Sequence, residues 1–186
     1  VKVWKDGSKS SAKVVTGNAE AISAENWQGK SYSAANKVNI ADYFEENTQY
    51  HYQYTDNYTG DDSIWSAEYD YTTKATDKFS VILTGDPQVG ASGSSSDKSA
   101  NDASVARDAY NWNKTMQQAL KTCPDASFLL SAGDQINQSG AAKDDDKKTR
   151  ESEYAGYLYP SVFRSLPIAA TIGNHDMACL LYTSPS

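Results

Sequence analysis

The chain has 186 residues, with 17 Lys+Arg against 24 Asp+Glu and a formal net charge of -7. Binding a phosphate backbone needs clustered positive charge, so nucleic acid is excluded as the main partner. No stretch approaches the roughly 18 apolar residues that a membrane span requires. Cys123 and Cys179 are too few for a disulfide-dense scaffold or a four-cysteine zinc site, and His51 and His175 are the only imidazoles for any metal. A hydrophobic share of 39% with 13 tyrosines is enough for a packed core. The chain opens at Val1 with no basic or apolar leader pattern, so a signal peptide is not observable.

Residues 1–76 are rich in Tyr, Thr, Ser and Asn. Val38 and Ile40 open a short strand. Thr48–Tyr54 places Tyr50, Tyr52 and Tyr54 on one strand face, expected to be core, and His51 on the other, expected to face solvent. Trp65–Tyr71 aligns Trp65, Ala67, Tyr69 and Tyr71 in the same way. Turn residues separate the runs, so this part reads as an all-β antiparallel sandwich.

From Lys78 the pattern changes. Phe79–Thr84 is nearly continuously apolar, which predicts a strand buried on both faces in a parallel sheet. Phe128–Ala132 and Pro167–Ile172 are two more such runs. Between the first two, Val105, Ala109, Trp112, Met116 and Leu120 follow a helical stripe, with N-cap candidates at Ser99–Asp102 and a stop at Pro124. A second helix is predicted over Glu151–Tyr159, with Tyr154 and Leu158 one turn apart. Residues 91–96 and 137–148 read as exposed loops, the latter including a solvated charge run at Asp144–Lys148. Strand, helix, strand, helix, strand predicts a layered α/β domain over residues 78–176.

Each apolar run stops at a glycine with oxygen ligands beyond it: Gly85-Asp86-Pro87-Gln88, Gly133-Asp134-Gln135-Ile136-Asn137, and Gly173-Asn174-His175-Asp176. A lone Gly-Asp is only a turn signal. Three such glycine-led ends on three strands in crossover order would converge at the carboxyl edge of one sheet, where open α/β folds place their sites. Hard oxygens with an imidazole suit Mn, Fe or Zn.

These three motifs resemble the first three of the calcineurin-like metallophosphoesterases, Gly-Asn-His-Asp being the most specific. The preceding strands, Thr48–Tyr52 and Trp65–Thr73, resemble the fibronectin-III-like domain found before the catalytic domain in purple-acid-phosphatase-like members. The resemblance implies a site with two divalent or trivalent metal ions (Fe, Mn or Zn). Asp86 and Gln88 would hold the first ion, Asp134 would bridge, and Asn174 would hold the second. A hydroxide between the ions would attack phosphorus. His175 would stabilise the phosphate or protonate the leaving alkoxide, and Asp176 would orient His175. The substrate would be a small phosphate ester, and an exported enzyme, extracellular or at the cell surface, would fit.

Gln88 stands where most members of the family have a His, and Asn137 where purple acid phosphatases place a metal-binding Tyr. The family's later Gly-His-x-His element does not occur in this chain, and residues 177–186 do not resemble the family and read as a non-native tail. The reading is therefore the front part of an enzyme, inactive by itself. A secreted β-sandwich binding or adhesion module on a non-catalytic α/β scaffold is the alternative, since Tyr-rich strands also suit recognition surfaces.

Overall fold

The structure, a computed structural model, describes residues 1–93, 98–138 and 144–176. The tail at 177–186 and parts of both expected loops, 94–97 and 139–143, lie outside the described residues. Three sheets and two helices make up the described chain.

Strands β1 (Lys2–Lys5), β2 (Lys13–Val14), β5 (Gln49–Gln53) and β6 (Tyr69–Thr72) form an antiparallel sheet in the order β2-β1-β5-β6. The alternation in β5 acts as expected at Tyr50, which is buried and meets Phe44 at 4.7 Å between ring centroids. It fails at Tyr54, which is 51% exposed. Strand β6 is shorter than the predicted run, since Trp65–Glu68 lie before it. Val38–Ile40 form no strand and lead instead into a 3-10 turn at Ala41–Tyr43.

His51 does not simply face solvent. Register places it between Trp4 on β1 and Asp70 on β6. Its ring stacks on Trp4 at 5.8 Å, its Nδ1 lies 2.7 Å from Asp70 and its Nε2 lies 3.0 Å from Asp6. Glu68 is a third carboxylate, at 3.3 Å from Nδ1.

Strands β3 (Asn18–Glu25) and β4 (Ser31–Lys37) pair as a separate hairpin. Instead of closing a sandwich over the first sheet, β3 packs on helix α2 (Asp144–Tyr157) of the C-terminal part. Trp27, at the hairpin turn, meets Tyr159 edge-on at 5.5 Å and packs against the buried Val89, Val105 and Tyr157.

Strands β7 (Ser80–Thr84), β8 (Ala126–Ser131) and β9 (Ile168–Ala170) form a parallel sheet in that order. Helix α1 (Lys98–Thr122) supplies the crossover from β7 to β8, as parallel pairing demands. Its stripe is as expected, with Val105, Ala109 and Met116 buried. Met116 joins Leu129 and Leu166 in the main core, against Ile82 and Ile168 on the same sheet face. Only that face is covered. Leu83 is 68% and Phe79 61% exposed, so β7 is not buried on both sides.

Helix α2 differs most from expectation. It begins at Asp144, inside the segment expected to be a loop. Its buried face is Ser152, Glu153, Gly156 and Tyr157, whereas Leu158 is exposed. A Cβ at Gly156 would lie 2.9 Å from both Val105 and Val89, so the helix approaches α1 as closely as its backbone allows. The indole N–H of Trp112 donates to the Tyr157 carbonyl at 3.0 Å and ties the two helices.

The pH dependence of the first sheet follows from His51. The hydrogen bond to Asp6, and then that to Asp70, hold its pKa above the ordinary imidazole value. Stability from this cluster is fully present below the unfolded pKa and is lost as pH rises through the raised one. The stability difference between wild type and His51→Gln, by urea denaturation, should shrink as pH rises above the ordinary imidazole value. A difference independent of pH would remove the ion-pair account.

Candidate metal centre

Thr84 pairs with Ser131, and Ser131 with Ala170, so the three strands end level with one another. The motif glycines follow, and the loops stay laced together beyond the sheet. Asp86 N–H donates to the Gly133 carbonyl at 3.3 Å, Gln88 N–H to the Asp134 carbonyl at 2.9 Å, and Val89 N–H to the Gln135 carbonyl at 3.1 Å. Asn137 N–H returns a bond to the Val89 carbonyl at 3.1 Å. Val89 and Ile136, both fully buried, sit beneath this lacing.

Three of the expected ligands have left-handed backbone: Asp86 with φ 49°, Gln88 with φ 36° and Asp134 with φ 51°. Such conformations cost a non-glycine residue on the order of 1–3 kcal/mol each and cluster at functional sites. The third loop is joined to the second through Asp134, whose Oδ1 accepts the His175 N–H at 2.8 Å. The fit leaves no room for a side chain at Gly133 or Gly173. A Cβ on Gly173 would fall 2.1 Å from Asp134 Oδ1, and one on Gly133 2.8 Å from Gly173 Cα.

Asp134 is buried, Gln88 and His175 are half-buried, and Asp86 and Asn174 are exposed at the rim. Asp86, Asp134 and His175 do not bring three ligand atoms within 4.8 Å of one another. Among the described residues, His51, Glu68 and Asp70 do so, on the first sheet.

Asp176 is buried, and its carboxylate is used by backbone. It accepts Gln135 N–H at 3.2 Å and Gly173 N–H at 2.9 Å, and the Tyr154 hydroxyl at 3.2 Å. It thus clamps the second and third loops to α2, and no bond joins it to the His175 ring. That ring is oriented by the Asn137 carbonyl, 2.5 Å from Nδ1. A carbonyl only accepts, so Nδ1 carries the hydrogen and Nε2 is left as the nitrogen that exchanges a proton.

Glu153 carries no signal in the sequence pattern. It is fully buried on α2, and one carboxyl oxygen accepts Gln138 N–H at 2.8 Å. Burial raises its pKa to about 7, against a smaller opposing effect from that N–H. A charged residue on a helix reads as part of the solvated face, and no spacing rule marks it for burial.

No known family profile matches the chain, and no curated protein matches it in sequence. Among solved structures, the fold is similar to that of purple acid phosphatase PPD1 from yellow lupin (Lupinus luteus) seeds, with a TM-score of 0.56 at 16% identity. The match covers 94% of this chain and 30% of the lupin chain. At this identity the likeness shows the fold: a chain of antiparallel and parallel sheets with two helices that resembles part of a purple acid phosphatase.

The buried carboxyl sets a testable pH dependence. Because the folded chain holds the Glu153 proton more tightly than the unfolded chain does, the contribution of Glu153 to stability is greatest at low pH and declines as pH rises from about 4.5 to about 7. The decline is about 3 kcal/mol. Urea denaturation should show that Glu153→Gln lacks this decline and is the more stable protein at about pH 8. Parallel pH profiles for the two proteins would contradict the burial assignment.

Proposed function

We propose that this chain carries the first part of a metal-dependent phosphoesterase site. The observation that carries the reading is the meeting of three oxygen-rich strand ends, with left-handed backbone at Asp86, Gln88 and Asp134. Likeness in fold to a purple acid phosphatase supports the class. The substrate class proposed is a small phosphate ester, and an extracellular or cell-surface setting suits it.

The donor set fits hard cations. Asp86 and Asp134 offer carboxylates, while Gln88 and Asn174 offer amide oxygens. Gly173 leaves a bare cradle against the Asp134 carboxylate. Asp86 with Gln88 would hold one ion, Asn174 a second, and Asp134 would be shared. Bound cations would neutralise charge on a phosphoryl group and activate water. The chain's own contribution is positioning. The peptide N–H of His175 fixes one Asp134 oxygen, and the Asn137 carbonyl fixes the His175 ring, so that Nε2 can hand a proton to a departing alkoxide. Asp176 keeps the loop carrying both in place.

Gln88 and Asn137 make this centre different from that of a purple enzyme. Asn137 cannot supply a phenolate, so the protein loaded with ferric iron should lack a visible charge-transfer band; a band that disappears on replacing a tyrosine would show a ligand outside this set.

Ligand count also sets what the 186 residues can do alone. Two carboxylates and two neutral amides hold a cation loosely. Calorimetric titration with Mn2+ should show weak binding that is lost in Asp134→Asn and retained in His51→Ala. The opposite pattern would put the ion at His51, Glu68 and Asp70 and overturn the assignment, as would no binding at all. The chain should not hydrolyse an aryl phosphate, whereas a longer chain with the family's later histidines should do so only with metal. Vigorous metal-dependent turnover by these residues alone would show that the ligand count is wrong.

A further inference from the structure

Glu153 is a buried titratable group that the proposed chemistry leaves unused. It is fully buried at the point where two motif loops rest on α2. Gly90, at the end of the first loop, has φ 105°, and a Cβ there would fall 2.3 Å from Glu153 Oε1. That oxygen has no hydrogen-bond partner among the described residues. The other, Oε2, accepts the Gln138 N–H at 2.8 Å.

The amide of Gln138 and the carbonyl of Asn137 belong to one peptide group. No peptide among the described residues is cis, so the N–H and C=O of this unit point in opposite directions. The N–H meets Glu153, and the carbonyl meets His175 Nδ1 at 2.5 Å. The resulting chain is carboxylate, peptide, imidazole. Hydrogen bonds in series polarise one another, and a charged acceptor at one end strengthens the rest. A carboxylate drawing on the N–H makes the carbonyl oxygen a better acceptor for the Nδ1 hydrogen. Neighbouring groups hold this peptide in place: Asn137 N–H is bonded to the Val89 carbonyl, and Asp108 holds the amides of Gly90 and Ser92 at 2.9 and 3.1 Å.

We infer that Glu153 is a positioning residue for His175, holding it as the Nδ1–H tautomer through the single peptide group between Asn137 and Gln138. Glu153 touches neither substrate nor metal. Its effect is to leave Nε2 of His175 as the ring nitrogen that exchanges protons. The inference rests on His175 serving the proposed phosphoesterase site, but the contacts it uses are independent of turnover.

The test reads the ring directly. With only two histidines, His51 and His175, the imidazole nitrogen–proton correlation spectrum of the intact 186-residue chain is simple to assign, using His175→Gln to identify the signals. Spectra are recorded at about pH 8.5, where Glu153 is charged. The wild type should show His175 mainly as the Nδ1–H form. In Glu153→Leu, which removes the acceptor, the ratio of Nδ1–H to Nε2–H should fall about tenfold. In Glu153→Gln, which keeps an acceptor oxygen but not the charge, it should fall about threefold, while the His51 signals stay in place as a control. A fall in the Leu variant supports the inference, whether or not the Gln variant follows. A ratio unchanged in both overturns it. If Glu153→Leu does not fold, Glu153→Gln decides alone, a fall supporting the inference and no change overturning it. Because the readout needs no substrate, a chain that bound no Mn2+ but passed this test would sink the phosphoesterase reading and leave the Glu153 assignment standing.

Discussion

Asp134 can occupy its place only because two glycines yield to it. Gly133 and Gly173 approach so closely that neither could carry a methyl group, and the carboxylate of Asp134 fills the gap between the second and third loops. Its contact with the His175 amide joins the loop after β8 to the loop after β9. The backbone lacing from Asp86 to Val89 joins the loop after β7 to the same unit. The three rim segments therefore behave as one body whose centre is a strained residue, and the regular sheet beneath supplies the level platform that this strain requires.

Polar groups, alongside the packing of Val89 on Val105 and Tyr157, fix that body to the helices. Asp176 binds two loop amides and the Tyr154 hydroxyl, while Glu153 and Asp108 each hold amides of neighbouring turns. A buried carboxylate is costly to bring out of water, and it is tolerated where fixed N–H donors replace the lost hydration. Geometry at the rim is thus obtained at some expense of stability, with Glu153 the clearest instance because an amide of the same shape would bury no charge above neutral pH.

How much of this was legible follows from which residues bury apolar surface. Strands β5, β7, β8 and β9 and helix α1 showed in the sequence because Tyr50, Leu129, Met116 and their neighbours repeat at the period of the element that buries them. The strand-end motifs were legible as residue types. Their backbone conformation was not, since no pattern rule places Asp86 or Gln88 in the left-handed region. The hairpin of β3 and β4 escaped because every residue of β4 is exposed, which leaves no alternation to read. Helix α2 departs from its sequence pattern for a related reason. Its inward face carries Ser152, Glu153 and Gly156, so the apolar pair Tyr154 and Leu158 suggested the wrong side. The alternation of its own strand turns His51 toward solvent, but cross-strand Trp4 and Asp70 decide its surroundings.

The placement of the hairpin bears on how such a chain can be recombined. Ile22 and Ala35 face Tyr154, Tyr157 and Leu158 across a cavity of about 360 Å3 that reaches Asp176 at the rim. Tyr52 donates to the Arg164 carbonyl, and the Arg164 guanidinium lies over the Tyr69 ring. The N-terminal strands therefore form the outer wall of the helix whose inner side carries Glu153. Exchanging those strands for another module would graft a new surface against α2 and change the seat of the loops without touching a ligand. Inheritance of the two parts as a pair, rather than as interchangeable pieces, is what this shared wall favours.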